Sequence, residues 1–112
     1  MAVRQKRNRY IAFTIFADES LSFQRYELIK TIQTHCYQKY HTSYKTYGFF
    51  LTRFKDNKGI FRCDHTEKER AISFLKSIEA INTHNVSIET LGTSGTMKAL
   101  IRKHLNGDNL KE

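Results

Sequence analysis

Residues 92–98 read GTSGTMK and lead into the apolar and basic run ALIRKHL. Glycines ahead of a helix let backbone N–H groups approach an anion, and the partial positive charge of a helix start attracts it. The hydroxyls of Thr93, Ser94 and Thr96 add donors, and Lys98 adds a full positive charge where helix starts ordinarily favour Asp or Glu. Such chemistry suits phosphate. The same residues also describe a tight turn at Gly92 and Gly95 with Ser94 or Thr96 as N-cap, and the two roles are compatible. The spacing G-x-x-x-x-G-K-[ST] of a nucleotide-binding loop is missing, which argues against ATP hydrolysis.

Other reactive side chains make a weaker case. Cys63 and His65 sit two apart on an expected strand, and His35 and Cys36 are adjacent on an expected helix, but neither spacing matches a compact zinc pattern. Cys63 reads as a small core residue. Asp18 and Glu19 fall at a helix entrance, and Glu67, Glu69 and Glu79 fall on a helix surface, where capping and solvation account for them. No nucleophile with a supporting base stands out, so no catalytic residue and no metal site are expected.

Charge points the same way as the glycine-rich motif. Nineteen Lys and Arg against 11 Asp and Glu give a net charge of +8 and a pI near 9.7. The excess is clustered: Arg4, Lys6, Arg7 and Arg9 open the chain, and Lys98, Arg102 and Lys103 gather near its end. Polyanions are the natural partners of such clusters. With 112 residues and 39% hydrophobic content the chain suits one folded domain, residues 1–112, with a basic lead-in over 1–8. No apolar run approaches the roughly 18 residues of a membrane span, and the N-terminus lacks a signal-like apolar stretch. The expectation is a cytoplasmic protein with no membrane partner and two reduced thiols.

These residues need a scaffold. Residues 9–17, RYIAFTIFA, read as a strand whose two faces, Ile11, Phe13, Ile15 and Tyr10, Ala12, Thr14, Phe16, are both apolar. Such a strand is central and covered on both sides, or covered on one side and open to a partner on the other. Leu21, Leu28, Ile29, Ile32 and Cys36 give a helical stripe to about residue 40, capped by Asp18 or Ser20. Residues 44–54 and 60–65 read as a hairpin around the four-residue turn DNKG. Thr66 and Glu69 form a capping box for a helix over 66–81, and residues 86–92 alternate as a last strand. A terminal helix follows from about residue 96, with Met97, Leu100, Ile101 and Leu105 on one side. The order predicts an α+β fold, a ferredoxin-like or RRM-like β-α-β-β-α-β antiparallel sheet with a C-terminal helix. Sheets of this class stack RNA bases on exposed aromatics, with Tyr10, Phe16, Tyr47, Phe49 and Phe61 as candidates, but the signature run of that class is absent and core packing is the simpler role.

RYIAF after a basic lead-in, GIFRC on the hairpin's second strand and the late GTSGTMK together resemble the archaeal ribonuclease P protein component 2 family, related to the Pop-type subunit of the eukaryotic enzyme. The resemblance covers nearly the whole chain, with GTSGTMK its most specific part. It implies a subunit of a ribonucleoprotein that removes the 5′ leader from precursor tRNA, with Mg²⁺ held at the RNA active site and no cofactor on the protein. It implies ribonuclease P RNA, precursor tRNA and the TIM-barrel-like protein component 3 as partners, with self-association inside a heterotetramer. By position, Gly95, Thr96, Lys98 and Arg62 carry over as RNA-facing residues; Ser94, Arg102, Lys103 and the basic lead-in are assigned by charge and chemistry. The chain stops soon after the motif, without the acidic tail of eukaryotic relatives, which suggests the archaeal type. On the residues alone two further readings stay open: a ferredoxin-like regulatory domain that binds a small anion, and a protein–protein adaptor.

Overall fold

The aromatic and β-branched run near the start of the chain forms β1 (Asn8–Ala17), the middle strand of a five-stranded sheet. The structure, a computed structural model, describes residues 7–18 and 21–104. After β1 come α1 (Arg25–Tyr40), β2 (Phe50–Lys55), β3 (Lys58–Asp64), α2 (Lys68–Lys76), β4 (Ala80–Ile81), β5 (His84–Ser94) and α3 (Met97–His104). The strand order is β2-β3-β1-β5-β4, and every pair is antiparallel. This is the expected plan with one added strand. β4 turns back onto β5 through Asn82 and Thr83, both in the left-handed region at φ 52° and 74°. The helix expected over 66–81 therefore ends early, at Lys76, and Ile81 is fully buried as a strand residue instead.

Both faces of β1 are used. Ile11, Phe13 and Ile15 join the main core, where Leu28, Ile32 and Cys36 of α1 and Ala71, Phe74 and Leu75 of α2 meet them. Ala12 lies in a second cluster on the opposite face with Ile60 and Leu100, so α3 supplies part of the second cover. The cover is incomplete, since Phe16 at the far end of β1 is 55% exposed.

Several boundaries differ from the sequence reading, each for a local reason. Residues 44–47 form a 3₁₀ turn rather than a strand: the Ser43 hydroxyl accepts the Lys45 N–H at 3.1 Å, and Gly48 ends the turn at φ 72°. A Cβ on Gly48 would collide with the Asp64 carboxylate, so only glycine fits there. The hairpin turn is two residues, Asp56 and Asn57 at φ 53° and 64°, which leaves Lys58 and Gly59 inside β3. α1 starts at Gln24, whose backbone N–H is accepted by the Glu27 carboxylate at 2.8 Å; Asp18 lies before this start, and Ser20 lies outside the described residues. α2 begins after a 3₁₀ turn over His65–Glu67, and Glu67 accepts from Arg70 Nε at 2.7 Å instead of a Thr66 capping box forming.

Asn57 ties this scaffold together. Its side-chain oxygen accepts the Phe23 N–H at 3.0 Å and its amide donates to the Leu21 carbonyl, while its own carbonyl accepts the Ile15 N–H at 2.7 Å. The hairpin tip thereby pins the connection between β1 and α1.

Candidate nucleic-acid interface

Strand register lines up the side chains on the face that α3 partly covers. One row runs Phe50, Arg62, Tyr10, Ser94 across β2, β3, β1 and β5. The next runs Arg53, Ile60, Ala12, Gly92, and a third runs Lys55, Lys58, Thr14, Glu89. α3 rests on the middle row. Leu100 is fully buried there with Ala12 and Ile60, and Tyr10, Met97 and Ile101 are half-buried around them. Small side chains at Ala12 and Gly92 let the helix approach the sheet.

The first three residues of GTSGTMK are strand. Gly92, Thr93 and Ser94 continue β5 opposite Ala12, Ile11 and Tyr10, after an irregularity that places the extra residue Leu91 between the Phe13–Thr90 and Ala12–Gly92 pairs. The expected tight turn shrinks to Gly95 and Thr96. The Ser94 hydroxyl accepts the Thr96 N–H at 3.2 Å, and the Thr96 hydroxyl accepts the Ala99 N–H at 3.3 Å, so Thr96 caps α3. Gly95 is exposed, has no left-handed φ, and a Cβ added to it would meet nothing within 4 Å among the described residues. Neither backbone conformation nor internal packing calls for glycine at this position.

Beside Gly95 opens a cleft of about 370 Å³ lined by Arg7, Asn8, Arg9, Tyr10 and His65. The His65 N–H donates to the Arg7 carbonyl at 3.0 Å, which fixes the start of β1 against the end of β3. Three of the residues expected to meet RNA, Arg7, Arg9 and Gly95, thus share one cleft, with Ser94 and Thr96 adjacent in the chain. Lys98, Arg102 and Lys103 are exposed on α3, away from the side that Leu100 buries. Arg62 is set further along the Tyr10 row, half-buried, with its guanidinium carbon 4.9 Å from the centre of the Phe50 ring. Arg4 and Lys6 lie outside the described residues. Asn8 is a cleft residue that the sequence does not point to, and His65, read there only as a candidate metal partner of Cys63, is another; the pairing of Asn8 with Asp64 brings both in, and no local pattern announces it.

Most of the candidate stacking aromatics serve the core. Phe49 and Phe61 are buried with ring centres 5.1 Å apart, and Tyr47 packs on Tyr40 and Phe49 with the Arg70 guanidinium 4.5 Å from its ring. The thiols are core groups as well. Burial, with help from Asp64 and Glu67, pushes Cys63 up to about 11, and burial raises Cys36. Among the described residues no group of three or more His, Cys, Asp or Glu side chains could hold a metal ion, and no helix is long and apolar enough to cross a membrane.

Comparison with known proteins places this geometry in context. Residues 9–105 match the model of the Rpp14/Pop5 family. The chain is 32% identical over 101 residues to Ribonuclease P protein component 2 of Pyrococcus abyssi, covering 89% of this chain and 86% of the relative. It is 25% identical over 105 residues to the protein of the same name from Methanosarcina mazei, covering 93% and 89%. A chain in the cryo-EM structure of yeast Ribonuclease MRP shares the fold at a TM-score of 0.62, with 11% identity over 85% of this chain and 79% of that one.

Proposed function

The chain belongs to the Rpp14/Pop5 family, and from that premise we propose that it works as a protein subunit of ribonuclease P, laying positive charge against the RNA of that enzyme. The observation that carries the reading is the cleft: register and the Thr96 cap set Arg7 and Arg9 beside an unhindered Gly95, at the foot of a helix that exposes Lys98, Arg102 and Lys103. Phosphates drawn to these cations release condensed counterions, which is the main source of affinity in such contacts. Crowding of RNA phosphates around Mg²⁺ is costly, and fixed protein cations reduce that repulsion. In this reading Mg²⁺ on the RNA supplies the chemistry that cuts the 5′ leader from precursor tRNA, and the chain orders the RNA that holds it. The TIM-barrel-like protein component 3 is the proposed protein partner, and the cytoplasm the proposed compartment.

Salt dependence tests it. If about four to six phosphates are neutralised, log affinity for the RNA subunit falls against log salt with a slope of about −3 to −5. Lys98→Ala with Arg102→Ala should flatten that slope by about 1.5 and raise the Mg²⁺ that the reconstituted enzyme needs. A slope near zero for the unaltered protein refutes the reading.

A further inference from the structure

α3 covers the centre of the sheet and leaves the β2 edge open. There Phe50 stands 44% exposed with the Arg62 guanidinium against its ring at 4.9 Å. A large aromatic on an edge strand ordinarily costs solubility, and this one carries no core role. Next to it lies a cavity of about 430 Å³ with polar walls from Asn8, Tyr44, Lys45, Arg62 and Asp64. It adjoins the Gly95 cleft, since Asn8 lines both. The same edge carries Arg53 and Lys55 on β2, and Arg53 and Arg62 each keep Nε sealed from water with no acceptor among the described residues. A buried donor left unmatched is a standing cost to the fold. Both guanidinium groups nonetheless place fixed positive charge at this edge.

We propose that this edge binds an unpaired nucleotide of the RNA, with its base stacked on Phe50 and its polar edge turned into the adjoining cavity. Single-stranded RNA is recognised by stacking on aromatic and guanidinium planes together with hydrogen bonds to base edges. Phe50 and Arg62 supply the planes. The Asn8 amide offers a donor and an acceptor, and the Asp64 carboxylate lines the same cavity as a further acceptor. Flanking phosphates run along β2 past Arg53 and Lys55. Two commoner partners fit less well: a duplex offers no free base face, and an acidic peptide has no use for the exposed ring. The inference rests on the RNA-binding reading above and separates its two terms: α3 and the Gly95 cleft take backbone charge, and the β2 edge takes a base.

The test uses the full chain with oligoadenylate of about 12 nucleotides and a duplex RNA of similar length, read by fluorescence anisotropy. Phe50→Leu keeps apolar bulk without a π face, and should weaken oligoadenylate binding by about fivefold to a hundredfold while leaving duplex binding and the salt slope unchanged. Phe50→Trp should restore single-strand affinity, and equal urea midpoints confirm that all variants fold. Equal loss on both RNAs, or no loss with Leu, overturns the base site. In that case Lys98→Ala with Arg102→Ala still weakening both RNAs leaves the broader reading standing. If the unaltered protein binds neither RNA, both fall.

Discussion

Leu100→Ala offers a direct test of how α3 is held. Leu100 is fully buried between Ala12 and Ile60, and its neighbours Met97 and Ile101 are only half-buried, so it is the main anchor of an eight-residue helix. A helix that short has little stability of its own in water. Truncating a buried Leu to Ala costs about 2–5 kcal/mol where the surroundings cannot relax. Here they can: once the loss exceeds the free energy that docks α3, the helix leaves and the rest of the sheet stays folded. The loss of global stability should therefore sit near the low end, about 2 kcal/mol, whereas Leu75→Ala in the main core should reach about 3–5 kcal/mol because no element can detach to limit it. Hydrogen exchange gives the distinguishing measurement. Amides from Leu100 to His104 should lose protection in the variant while those of β1 and β3 keep theirs, and RNA affinity should fall because Lys98, Arg102 and Lys103 lose their fixed place. Retained protection in α3 with unchanged RNA affinity would show that Leu100 is not what holds the helix.

Asn57→Ala should destabilise by about 2–4 kcal/mol, from the Phe23 N–H left without its acceptor and the left-handed backbone that Ala resists. Asn57→Gly should recover the backbone part, and equal urea midpoints for the Ala and Gly variants would contradict the assignment. Gly95→Ala should leave stability unchanged or raise it by about 0.4–1 kcal/mol while weakening RNA binding, because none of the described residues crowds that position and a bound RNA backbone would. Unaltered affinity would remove Gly95 from the interface. Cys63 holds its proton in the native state to about 11, above the ordinary 9.0, so the unfolded chain ionises first and stability declines as pH climbs from 9.0 toward 11. Cys63→Ala should show a shallower decline over that window, read as the difference between the two urea series.

What the sequence disclosed follows from how local each feature is. The apolar β1 faces and the Leu28, Ile32, Cys36 stripe are periodic, and periodicity survives without knowledge of neighbours, so the order of elements was readable. The 3₁₀ turn over Tyr44–Tyr47 reads as strand because its aromatics favour strands, and a capping Ser43 with a left-handed Gly48 decides otherwise. β4 was hidden because two residues cannot display a period. GTSGTMK signalled a helix entrance correctly at Thr96, yet its first glycine and hydroxyls belong to a strand whose partner lies at the other end of the chain. The cleft, Asn8, His65 and the Phe50–Arg62 pair depend on register between distant strands, and no window of sequence contains that.

The central place of β1 also bears on how the protein is made. Tyr10 pairs on one side with Arg62 and on the other with Ser94, so β1 leaves the ribosome before the other described strands and waits for the last of them. Contacts of such long sequence separation slow folding. Until β5 is made β1 can pair only with β3, and the other edge of a segment apolar on both faces stays open, a state prone to aggregation. Chains released before β5 is complete should collect in the insoluble fraction, whereas chains released between Ser94 and Leu100 should form the sheet and lack only its cover. Arg9 lies in this strand and Arg7 just before it, so the RNA binding proposed above, if it begins during synthesis, would hold the segment in solution until its partners arrive.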